Sequence, residues 1–260
     1  MVAIRPIIMG AGAVGAAATA FVAQQQIGGD GAPEAGAGNG YEICLKTEMP
    51  LFSGAGKGCY GGRELSALLD NPVLDLQGEA VQMSMTHPTD TSVAPQTCRT
   101  CRDYREMNFD GWFAPNSREM RREGYFVRAC GALAAMMNAQ APSRSFFSDG
   151  SPTAEEVAGL KGVLRIGEVK DEADRVVVSQ PGDYQWRVAA DSRFVEMQEL
   201  ANADFDNDGM EEVLVFLAGG TEGGTALFYD VGLMQKDAAD ADLTYAPLSF
   251  DQRNAGGAAR

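Results

Sequence analysis

Between Val163 and Leu233 the chain repeats one pattern, a short run rich in β-branched and aromatic residues followed by a few turn-forming ones. The runs are "VLRIGEV", "DRVVVSQ", "SRFVEMQEL", "EEVLVFLA" and "TALFYDVGL", and the separators include "KDEA", "PGD" and "GGTEGG". Glycine, proline and aspartate in such separators favour tight turns. Connections this short join antiparallel neighbours, because a parallel pair needs a crossover of about a dozen residues or more. The C-terminal half is therefore expected to be an antiparallel β meander. No repeat of about 20 to 50 residues runs through the chain, which argues against a solenoid or a complete propeller.

The N-terminal half reads differently. "GRELSALLD" predicts a short helix, and two longer helices follow it. One begins near Cys98 and ends before "NFDGWFAP", where Gly111 and Pro115 break it. The other begins at Asn116, with Glu119 placed as a capping-box partner, and runs toward Asn138. "YEICLKTEM" and "PVLDLQGEAVQMSM" predict short strands, and "SPTAEEVAGLKG" one more short helix with proline in its first turn and glycine at its end. The expected fold class is α+β, with helices mainly in the N-terminal half and the antiparallel β meander in the C-terminal half. Residues 41–260 form a single domain long enough to bury a sizeable core, with a subregion boundary near 141–151 in "APSRSFFSDGSP".

The residues ahead of that domain are of another kind. "IIMGAGAVGAAATAFV" contains Gly10, Gly12 and Gly15 in the G-x-G-x-x-G spacing. No buried strand leads into it and no second strand precedes Asp30, so the dinucleotide fingerprint lacks its scaffold. Arg5, followed by an uncharged stretch from Pro6 to Ala23, instead fits an export segment. Cleavage after Ala18-Thr19-Ala20 makes it a signal peptide, and retention makes it a short membrane anchor. Residues 1–27 are read as one or the other, and the glycine-rich residues 28–40 as a flexible linker. Both outcomes put the domain outside the cytoplasm, either periplasmic or held at the inner membrane facing the periplasm, with membrane association through residues 6–23.

An oxidising compartment gives the five cysteines, Cys44, Cys59, Cys98, Cys101 and Cys130, a natural count of two bridges and one thiol. Cys44 and Cys59 flank the turn "FSGAGKG" and are expected to pair locally. Cys130 sits on a segment where Met120, Val127, Leu133 and Met137 recur at helical spacing, so its sulfur is expected to face the core. Its partner comes from "CRTC", and either Cys98 or Cys101 satisfies the spacing.

The chemistry is concentrated in "ADFDNDGMEEVLVF". Carboxylates at Asp204, Asp206 and Asp208 repel one another unless a cation sits among them, and Gly209 lets the chain turn round it. An all-oxygen donor set with several carboxylates selects a hard ion, calcium before magnesium. The expected donors are the side chains of Asp204, Asp206, Asp208 and Glu212 and the carbonyl of Met210. The stretch is no EF-hand, because the twelfth loop position is Val215 and a strand follows instead of a helix. It resembles the D-x-D-x-D-G-x-x-D hairpin loop of FG-GAP and integrin-type repeats, in which calcium is held between two strands. The likeness covers about 15 residues and departs at Glu212, where those repeats usually carry aspartate. It implies the loop and its ion.

A net charge of −15 argues against a nucleic-acid partner. His87 is the only histidine, so a triad has one candidate base and no companion motif. The expected function is non-catalytic, binding or assembly in the cell envelope with a protein partner. The rival is a periplasmic thiol-disulfide oxidoreductase using Cys98 and Cys101, with Arg99 and Arg102 beside them. A zinc site from His87, Cys98, Cys101 and Cys130 matches no familiar spacing.

Overall fold

The computed structural model describes residues 40–90, 92–160, 177–190, 192–224 and 227–248. They begin with a hairpin of β1, Ile43–Leu45, and β2, Gly58–Tyr60, followed by helix α1, Gly62–Leu68. Strand β3, Met83–Met85, pairs with β4, Gln96–Cys98. Helices α2, Cys101–Phe109, α3, Ser117–Asn138, and α4, Ala154–Gly159, come next. The remainder is one six-stranded sheet of β5, Val177–Gly182, β6, Gln185–Ala190, β7, Arg193–Ala203, β8, Glu212–Thr221, β9, Leu227–Gln235, and β10, Thr244–Pro247. Its strands lie side by side in chain order, each antiparallel to the last. The meander expected of the C-terminal half is thus present, while the run "VLRIGEV", the export segment and nearly all of the linker lie outside the described residues.

The fold class is corrected. With four helices and ten strands among the described residues, the protein is mostly β with few helices. The helices are not gathered in the N-terminal half either, since α3 crosses the midpoint of the chain and α4 lies beyond it. Strands β1 to β4 have three residues each; β1 and β3 fall within the runs expected to be strands, whereas β2 and β4 are too short for side-chain alternation to stand out from loop sequence.

The sheet separates two hydrophobic cores. Along β8, Val213, Val215 and Leu217 enter one core while Leu214 and Phe216 enter the other, the period of two that a strand covered on both faces requires. Val195 and Met197 of β7 join the first of these faces, but Ala201 and Ala203, of the same parity, join the opposite one. A register shift between Glu199 and Ala201 reverses the alternation there. The larger core is closed by α1, α2, α3 and the two hairpins, the smaller by Val157 and Leu160 in and beside α4.

One disulfide closes a hairpin and the other joins two helices. Cys44 and Cys59 stand opposite each other across β1 and β2 and are bonded, as expected. Cys101 at the start of α2 is bonded to Cys130 of α3, which settles the choice left open by "CRTC", and Cys98 is a buried free thiol. Helix α3 is capped by Asn116, whose side chain accepts from the Arg118 and Glu119 N–H groups. Glu119 does not complete a capping box; it is buried and accepts from Ser84 N at 2.9 Å, tying the helix to β3. Of the residues read from spacing as core-facing, Leu133 is buried and Val127 and Met137 pack against the core, but Met120 is 60% exposed; Phe126, Ala129 and Met136 are buried beside Leu133.

Candidate metal centre

The hairpin joining β7 to β8 carries "DFDNDGME", and its ends are fixed before the loop begins. Ala203 pairs with Glu212 as the last rung of the ladder, and Phe205 is buried in the larger core. Between them the backbone turns on two residues with positive φ, Asn207 at 66° and Gly209 at 88°. Asparagine and glycine are the residues that adopt this region at least cost.

The turn gathers the four expected carboxylates. Asp204, Asp206, Asp208 and Glu212 each offer an oxygen, and these oxygens all lie within 4.8 Å of one another. Asp204 and Glu212 are buried, while Asp206 and Asp208 are exposed. Backbone N–H groups hold the cluster in place: Asp204 accepts from Asp208 N at 3.2 Å and Gly209 N at 2.9 Å, Asp208 from Met210 N at 2.7 Å, and Glu212 from Phe205 N at 2.7 Å. Met210, the expected carbonyl donor, lies in the same loop and bridges to Arg144.

No cationic side chain is among these contacts, and the charges act on one another. Burial, reinforced by Asp206, Asp208 and Asp204, pushes the Glu212 carboxyl up to about 8. Burial and the neighbouring Asp208 raise that of Asp206 as well. Such a cluster, pre-shaped and carrying excess negative charge, is what a bound metal ion would neutralise.

The segment after α3 forms a brace that the sequence did not reveal. Gln140 exchanges backbone bonds with Asp204, Ser143 N and Arg144 N donate to the Gly209 carbonyl, and Glu211 N donates to the Arg144 carbonyl. Beside it, Ser145 bonds to Glu211, and Asn202 bonds to Gly150 and Glu211. These partners are 66 residues apart in the case of Ser143 and Gly209; "APSRSFFSDGSP" announces only a loop, and nothing local states what it touches.

The other expected sites are not assembled into chemistry of their own. Cys98 and Cys101 are both buried and not bonded to each other, and burial pushes the Cys98 thiol far above its ordinary range. His87 accepts from Asp90 N and meets the edge of Trp112, and among the described residues it joins no metal-ligating cluster. No protein-family model matches the chain, and neither the curated proteins nor the solved structures contain a significant match. The likeness to the D-x-D-x-D-G loop therefore stays local, a matter of this hairpin alone.

Proposed function

We propose that the 204–212 hairpin binds calcium and that the protein serves binding or assembly, without catalysis, in the cell envelope. The observation that carries the metal reading is the convergence of four carboxylate oxygens within 4.8 Å, braced by backbone N–H groups and, among the described residues, bonded to no basic side chain. An all-carboxylate set on a turn suits calcium, which accepts irregular, high coordination, better than magnesium, which demands a near-ideal octahedron. Glu212 would anchor the ion to β8, Asp204 to the end of β7, and Asp206 and Asp208 would close it from the solvent side, with the Met210 carbonyl as a fifth donor.

Two disulfides point to an oxidising, exported environment. Among the described residues no helix is long and apolar enough to cross a membrane. The envelope setting and a protein partner there rest on that environment and on the export segment. An ion at this hairpin would fasten β7, β8 and the 140–144 brace together, and so present a firm surface to that partner.

The test is thermal melting of the purified protein with calcium, with magnesium and with chelator. A calcium-specific rise in Tm supports the reading; at a concentration about 100 times Kd the gain is about 2.7 kcal/mol. Equal melting in all three leaves the loop an acidic turn. Preference for magnesium overturns the assignment of the ion.

A further inference from the structure

An amine, a carboxyl and a side-chain amide meet where β1 ends against β7. The register shift between Glu199 and Ala201 pairs Glu199 with Val215 and Asn202 with Val213, both on the face of β8 that lines the smaller core. Cross-strand partners share a face, so Glu199 and Asn202 stand one place apart on it, about 7 Å along the strand. An unbroken strand would put them on opposite faces. Lys46 arrives from β1, fixed by its backbone N–H donating to the Leu200 carbonyl at 2.8 Å and by Thr47 Oγ1 donating to the Glu199 carbonyl at 2.6 Å.

Lys46 Nζ touches Glu199 Oε1 and donates to the Gly150 carbonyl at 2.8 Å. Asn202 Nδ2 donates to that same carbonyl oxygen and to Glu211 Oε1 at 3.4 Å. Two nitrogens bound to one oxygen are no more than about 6 Å apart. A backbone carbonyl can only accept, which fixes the Asn202 amide with Nδ2 toward Gly150 and Oδ1 turned away. That Oδ1 and Glu199 Oε2 are both buried, and among the described residues neither has a hydrogen-bond partner. One proton on Glu199 Oε2 makes it a donor, and the orphaned Asn202 oxygen is an acceptor on the same face that lacks one. Burial favours this protonated form, against the pull of Lys46.

We infer that Lys46 and Asn202 become joined by an intramolecular amide bond, formed in the folded protein with Glu199 as proton relay. A proton passing from the Lys46 ammonium to Glu199 leaves a free amine and a neutral carboxyl. The Nζ lone pair attacks Asn202 Cγ while Glu199 shares its proton with Oδ1, where charge develops. Nζ then gives up one hydrogen, through Glu199, to Nδ2; the Cγ–Nδ2 bond breaks and ammonia leaves. One amide replaces another, no electrons are exchanged with a partner, and Glu199 ends as it began. The fold supplies what free side chains lack, an amine held beside an amide, at a carboxyl whose side chain has no surface exposed to competing water. The ion pair is the unreacted state of this site. The bond ties β1 to β7, and it stands whether or not the 204–212 hairpin binds calcium.

The test is mass spectrometry of the full-length protein, reduced, denatured and digested with trypsin. The expected result is a loss of one ammonia, about 17 Da, with no cut after Lys46 and with the peptide holding Lys46 joined to the one holding Asn202. Glu199→Gln keeps the shape of the relay without its carboxyl proton and is expected to slow formation of the bond about 100-fold or more. Lys46→Arg keeps the positive charge and is expected to abolish the bond. The parent digest decides even if these variants fold poorly: a cut after Lys46, with its amine free, overturns the inference. So does a loss of ammonia confined to another asparagine, or a loss of water that joins Lys46 to Glu199. Full cross-linking in Glu199→Gln protein that melts as the parent does overturns the relay.

Discussion

Lys46, half-buried, and Glu199, fully buried, form an ion pair that fastens the end of β1 to the bulged part of β7. The Glu199 side chain has no exposed surface, and among the described residues its second oxygen has no hydrogen-bond partner. Lys46 Nζ also donates to the Gly150 carbonyl at 2.8 Å and to Ser151 Oγ at 3.1 Å. Burial raises the Glu199 carboxyl while Lys46 opposes it. Removing one partner should be far worse than removing both: Lys46→Met is expected to cost about 3–5 kcal/mol, and Lys46→Met with Glu199→Leu to recover much of it. Urea denaturation of the two variants decides this, and a single variant as stable as the parent shows that the pair is dispensable.

Asp206→Ala should act with opposite signs in the two states of the loop. Without calcium it removes one of four mutually repelling carboxylates, and stability is expected to rise. With calcium it removes a ligand, and the calcium-dependent increase in Tm is expected to vanish. A purely structural aspartate would lower stability equally with and without the ion.

The raised Glu212 carboxyl gives the ion-free protein a pH dependence of definite sign. Its ordinary value is 4.5 and its value in the fold is about 8, so between those limits the unfolded chain has lost a proton that the folded one retains. Stability falls as pH rises through that window. Calcium, which favours the ionised form, should flatten the fall and release protons on binding near neutral pH. Melting at several pH values in chelator and in calcium measures the first effect, and calorimetry in buffers of different ionisation enthalpy the second.

Gly209 is the loop position least tolerant of a side chain. Its φ is 88°, and a Cβ there would lie 2.9 Å from Ser143 Oγ. Gly209→Ala is expected to cost about 1–3 kcal/mol and to weaken calcium binding, because Gly209 N is one of the groups that orient Asp204. Isothermal titration beside thermal melting separates the two losses.

Thiol reagents should find no reactive cysteine in the folded, oxidised protein and one after denaturation, because Cys98 is buried and the other four are bonded. Replacing Cys101 and Cys130 together by alanine should destabilise by about 2–5 kcal/mol. A rapid reaction of Cys98 in the folded state would revive thiol exchange as a function.

The meander, the carboxylate loop and one disulfide were determined by the sequence itself, since each rests on residues near in the chain: apolar β-branched runs such as "EEVLVFLA" between turn-forming separators, alternate aspartates before Gly209, and cysteines either side of "FSGAGKG". The tertiary structure decided what depends on distant partners. It chose Cys101 over Cys98 for Cys130, turned Met120 outward and Glu119 inward, and set the 140–144 segment against the loop. It also formed β2 and β4 as strands, which three residues apiece carry too little pattern to announce. A local pattern fixes backbone preference and the spacing of donors; which face is buried, and which charge is left without a partner, is fixed only when segments far apart in the chain compete for the same core.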